Sequence, residues 1–84
     1  MDKKIKVMIA DDQVILAEGI KSVLETDPEL EVIGLAFDGF DALEKMEKNP
    51  PDVVLMDIRM PNMNGVVATQ SIKAKYPDVK VVIL

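Results

Sequence analysis

The chain alternates short apolar runs with amphipathic stretches. Ile5, Val7, Met8, Ile9 and Ala10 alternate with Lys4 and Lys6, then become wholly apolar, predicting a strand whose far end is buried on both faces. Leu16, Ile20, Val23 and Leu24 recur at i, i+4, i+7 and i+8, one face of a helix. Asp12 is placed to cap its start, and Asp27-Pro28 stops it, because a residue before proline avoids the helical region. Residues 32–37 predict a second strand. Asp38-Gly39 then opens a helix with Ala42, Leu43 and Met46 on one face. Asp41–Lys45 and Glu44–Lys48 stand at i, i+4 on its other side. Residues 53–56 form a third buried strand, closed by Asp57. Asn64-Gly65 reads as a turn and cap before a helix with Ala68, Ile72 and Tyr76 inward, which ends before Pro77. The run Val79-Lys80-Val81-Val82-Ile83-Leu84 is a fourth strand.

Buried strands separated by single helices imply parallel pairing with helices on the faces of the sheet. The fold class is therefore α/β, a doubly wound parallel sheet in the order β-α-β-α-β-α-β, within one domain over residues 1–84. The 79–84 strand presents a flat apolar edge that invites association unless more chain or another copy covers it.

Charge and composition narrow the chemistry. Ten Lys+Arg against fifteen Asp+Glu give a net charge of −5, which argues against a nucleic-acid or membrane-surface binder. With no Cys and no His, thiolate and imidazole metal sites and Ser-His-Asp triads are excluded. No stretch approaches the roughly 20 apolar residues of a membrane span. Met1-Asp2-Lys3-Lys4 leaves no room for an export signal before the charges return at Asp11, so a cytoplasmic address is expected.

Asp11 and Asp12 follow the first strand directly, and Asp57 ends the third. Ligand sites of open parallel sheets lie beyond the carboxyl ends of strands, where the strand order reverses. If strands one and three are neighbours, the three carboxylates converge, and a bound cation resolves their mutual repulsion. An all-oxygen donor set selects a hard ion, Mg²⁺ before Ca²⁺ or Mn²⁺, and such Mg²⁺ sites are usually completed by phosphate oxygens. Asp57 is then the natural nucleophile, through an acyl phosphate. There is no Gly-rich phosphate cradle, so the phosphoryl donor is another protein or a small phosphodonor rather than bound ATP. Taken singly, Asp12 reads as a helix cap, Asp57 as a turn residue and Arg59 as solvated. Met8, Met46 and Met56 read as core fillers. Only the joint pattern lifts the carboxylates above these plain roles.

That pattern resembles the receiver domain of bacterial two-component response regulators, a CheY-like (flavodoxin-like) fold. It looks most like the receivers of LuxR/NarL-type regulators. The resemblance is carried by Ile5 through Gln13, by Ala36-Phe37-Asp38-Gly39 and by Pro51 through Gly65, with the D-x-x-M-P-x-M-x-G loop beginning at Asp57. It implies that Asp57 accepts phosphate from a histidine kinase. It further implies that Asp12 and Asp57 bind Mg²⁺ through their carboxylates, Arg59 through its backbone carbonyl and Asp11 through water. It implies a regulatory domain rather than an enzyme.

The family's fold continues through five strands and five helices, whereas this sequence stops after its fourth strand, as a truncated receiver. The Ser/Thr after strand four and the Lys ending strand five, which sense the phosphoryl group in the family, have no counterpart here, so output is expected to be impaired. No helix-turn-helix segment is present, so DNA contact is expected only through a missing output domain. Without a fifth helix, one face of strands one and three is expected to be uncovered, which predicts a homodimer through that face or the 79–84 edge. Two rival functions are a phosphorylation-independent dimerisation module with a receiver-like fold and a Mg²⁺-dependent hydrolase or nuclease.

Overall fold

Residues 3–84 are described by a computed structural model. Met1 and Asp2, part of the segment read as too short for an export signal, lie outside them. β1 (Ile5–Ala10) shows the predicted change along its length: Ile5 and Lys6 are exposed and Val7 through Ala10 buried. It is followed by α1 (Val14–Leu24), β2 (Leu30–Ala36), α2 (Gly39–Lys48), β3 (Val53–Met56), α3 (Gly65–Lys75) and β4 (Lys80–Ile83). All three strand pairings are parallel, in the order β2-β1-β3-β4. This is the predicted doubly wound α/β arrangement.

β2 begins and ends earlier than the apolar run suggested. It pairs with the whole of β1, from Ile5 opposite Leu30 to Ala10 opposite Ala36, with a register shift between Val7 and Met8. Phe37 falls beyond the last rung of that ladder.

Alternation across the sheet separates two cores. Met8, Ala10, Ala36, Val54 and Met56 face α2 and α3, where Ala42, Met46, Ala68 and Ile72 meet them. The predicted inner faces of α2 and α3 are therefore correct, with Tyr76 packed at the rim. Met8, Met46 and Met56 are the core fillers expected of them. Asp41–Lys45 closes as an ion pair at 3.2 Å. Glu44–Lys48 does not close; the other described ion pair links Glu47 to Lys75 on α3 at 3.7 Å.

α1 covers the opposite face with a stripe that keeps Ile20 and Leu24 of the predicted one and centres on Ala17 instead of Leu16 and Val23. Ala17 is fully buried against Val7 and Ile9, flanked by half-buried Ile20 and Leu24. Leu16 and Val23, assigned to the inner face, are 47% and 69% exposed. The small Ala17 lets the helix backbone approach the sheet and sets the contact line through residues 17, 20 and 24, turning 16 and 23 outward. The expected uncovering is corrected for strand one and holds in part for strand three. Val7 and Ile9 stay buried beneath α1, while Leu55 on β3 is half-buried and Val82 on the edge strand β4 is exposed. Among the described residues no helix is long and apolar enough to cross a membrane.

Candidate functional site

β1 and β3 are neighbours, with Ala10 opposite Met56. Residues 11 and 57 therefore leave the sheet side by side, where the order turns from β2 on one flank to β4 on the other. The Asp57 N–H donates to the Ala10 carbonyl at 2.8 Å, and the Asp11 N–H to the Ala36 carbonyl at 2.9 Å. These bonds extend the strand ladders one step and fix where both side chains start.

The three sequence-predicted carboxylates converge. Asp11, Asp12 and Asp57 each place a carboxylate oxygen within 4.8 Å of the others. Asp11 is 2% exposed, Asp57 half-buried and Asp12 exposed. Neither described ion pair involves them. Asp12 does not cap α1: the N-cap is Gln13, whose side chain makes no capping bond. The helix begins one residue later than a cap at Asp12 requires. The Gln13 N–H is taken by Asp11 Oδ1 at 2.8 Å, which orients the buried carboxylate and leaves Asp12 free to face the cup.

A buried anion with two more beside it and no cation paired to it is a costly arrangement that a hard divalent ion relieves. Among the residues of this cup the side-chain donors are all oxygen, which fits Mg²⁺. Arg59 has an exposed side chain, as expected, and its N–H donates to Asp57 Oδ1 at 3.3 Å.

The loop after β3 is held at both ends. The Gly65 N–H donates to the Ile58 carbonyl at 2.9 Å, and Asn64 caps α3 by accepting the Val67 N–H at 3.0 Å. The turn-and-cap reading of Asn64-Gly65 is thus correct. At the loop's far side the Gly39 N–H donates to the Met63 carbonyl at 3.0 Å, and Asn62 Nδ2 donates to Asp38 Oδ2 at 2.9 Å. Sequence reasoning gave Asp38 only a place at a helix start and did not single out Asn62. The available signal was an Asn in a Pro-Asn-Met turn, a residue type that tolerates left-handed backbone. Asp38 Oδ1 accepts the Asp41 N–H at 2.7 Å. That bond, then the Asn62 amide, holds the Asp38 carboxyl below its ordinary pKa.

A doubly wound parallel sheet with an acidic cup at its switch point defines a CheY-like fold. The chain belongs to the response regulator receiver domain family, which matches residues 7–84. It is 48% identical over 83 residues to the transcriptional regulatory protein DegU of Brevibacillus brevis, covering 99% of this chain and 35% of that protein. It is 46% identical over 77 residues to a protein-glutamate methylesterase/protein-glutamine glutaminase of Pyrococcus horikoshii, covering 92% of this chain and 21% of that one. The response regulator domain of Thermotoga maritima CheB superposes with a TM-score of 0.91 at 37% identity, over 96% of this chain and 60% of that one. The chain thus spans about a third or less of the length of these two curated relatives.

Proposed function

We propose that residues 1–84 form one receiver unit that accepts a phosphoryl group on Asp57 from a histidine kinase. The observation that carries this reading is the convergence of Asp11, Asp12 and Asp57 at the β1–β3 switch point. Asp12 and Asp57 would hold Mg²⁺ through their carboxylates, Arg59 through its backbone carbonyl and Asp11 through a water molecule. When bound, the ion supplies positive charge where negative charge gathers on the phosphoryl oxygens. The Arg59 N–H orients the Asp57 carboxylate through Oδ1. A carboxylate oxygen of Asp57 attacks phosphorus as the bond to the donor's imidazole nitrogen breaks, and the leaving imidazole takes that electron pair. The role is regulatory rather than enzymatic, the setting cytoplasmic, and DNA contact, as suggested by the transcriptional relative's name, belongs to a part outside these residues.

The test is labelling with acetyl phosphate, read by intact mass. The wild-type chain gains one phosphoryl group with Mg²⁺ and not with a chelator, and Asp57→Ala gains none. Labelling that persists in Asp57→Ala would overturn the assignment.

A second reading, association without phosphorylation, draws on a different observation. Ile15, Leu16 and Val23 on α1 and Val82 and Ile83 on β4 are exposed apolar side chains. A homodimer through this face or the β4 edge would bury them. Light scattering at micromolar concentration that returns a monomer mass would exclude it.

A further inference from the structure

We infer that Asp38 is a positioning residue for the acidic cup, acting through Asn62 to hold the loop that carries Asp57 and Arg59; this rests on the receiver reading above. Asp38 touches none of the three cup carboxylates in the described hydrogen bonds. Its carboxylate instead bridges two elements, with Oδ1 on the first turn of α2 and Oδ2 on the side chain of Asn62.

Asn62 is the residue where such a hold is needed. Among the described residues it is the only non-glycine with positive φ, at 68°. That left-handed conformation is sparsely populated and persists where surrounding contacts over-determine it. The contacts are present: the Asp38 carboxylate takes the Asn62 amide, and the next residue, Met63, gives its carbonyl to the Gly39 N–H. The approach is close enough that a Cβ at Gly39 would lie 2.6 Å from Met63. Met60, midway along the loop, is 8% exposed and belongs to the core beneath α2 and α3. At its root the loop is pinned by the Gly65–Ile58 bond. The segment between Asp57 and Gly65 therefore has little freedom, and the Asp38–Asn62 clasp closes its outer turn. Opening the clasp frees the backbone at residue 59, whose N–H orients Asp57.

The test uses MgCl₂ titration followed by NMR, acetyl-phosphate labelling and the thermal midpoint, on the wild type and three variants. Asn62→Gly keeps the left-handed backbone and removes the amide. Asp38→Ser keeps an oxygen for the Asp41 N–H and loses reach to Asn62. Asp38→Asn keeps both bonds once the Asn62 amide reverses. The first two are expected to weaken Mg²⁺ binding about three- to tenfold, less than the roughly 10–100-fold of groups that touch a metal ligand directly, and to slow labelling. Asp38→Asn restores both, and all variants stay folded at the assay temperature. Wild-type Mg²⁺ affinity and labelling in both clasp-opening variants would overturn the positioning role alone. Losses that Asp38→Asn fails to restore would also overturn it. A wild-type chain that takes neither Mg²⁺ nor phosphate overturns the receiver reading, and the positioning role with it.

Discussion

Gly65 packs so closely on Asp57 that a Cβ at Gly65 would lie 2.2 Å from the Asp57 carbonyl oxygen and 2.8 Å from the Ile58 Cα. Both obstacles are backbone, so neither can rotate away. Gly65→Ala is expected to cost about 2 kcal/mol or more, the scale of an overpacked core site. Gly19, in the middle of α1, is the control, because nothing lies within 4 Å of a Cβ there. Gly19→Ala should stabilise by about 0.5–1 kcal/mol through helix propensity. Urea midpoints that move equally in both variants would refute the contrast.

The two faces of the sheet should respond differently to truncation. Met46 and Ile72 are fully buried, whereas Val23 is 69% exposed. Changing either buried residue to Ala should cost about 2–5 kcal/mol through lost contact and cavity formation. Val23→Ala should stay within about 0.5 kcal/mol. Equilibrium unfolding measures all three, and a Val23 effect as large as that of Ile72 would contradict the outward placement of that side chain.

Repulsion within the cup predicts a stabilising mutation. Asp57→Asn removes one of three converging charges and keeps an oxygen for the Arg59 N–H. In chelator, its thermal midpoint should rise, by the equivalent of about 1 kcal/mol after solvent screening. The gain should shrink in 1 M salt, where the Debye length falls to about 3 Å. An unchanged midpoint at low salt would show that the three charges do not strain the fold.

Asp38 gives a prediction in pH. Its carboxyl lies below the ordinary 3.8, first because of the Asp41 N–H and then the Asn62 amide. A depressed folded-state pKa means that the stabilisation is complete above 3.8 and is lost as pH falls through the lower folded value. Carbon-detected NMR titration should place the Asp38 midpoint below 3.8, with Asn62→Gly moving it upward. A wild-type midpoint at or above 3.8 would contradict the clasp.

The strands and their parallel order were legible because the apolar runs at β1 and β3 are short, bounded by charges and separated by single helical stretches. The cup was legible because both strands end in aspartates. The inner face of α1 was legible only at Ile20 and Leu24, since periodicity weighs large side chains and the contact is set by Ala17, which is apolar but small. Leu16 looked inward by spacing and is not. The capping role given to Asp12 failed for a local reason: α1 starts at Val14, so Gln13 is the N-cap and Asp12 lies one residue outside the position a cap occupies. The Asp38–Asn62 bond joins residues 24 positions apart, and nothing in the spacing of either announces a partner.

Asp11, Asp12 and Asp57 come from two strands that meet only in the folded sheet, so the unfolded chain has no comparable gathering of anions. A divalent ion that binds this gathering binds one side of the folding equilibrium, and mass action then draws the population toward it. At a free-ion level a hundredfold above the dissociation constant, the bias is about 2.7 kcal/mol. If the proposed Mg²⁺ role holds, magnesium supply would shift the share of the protein in native form before any phosphoryl donor arrives.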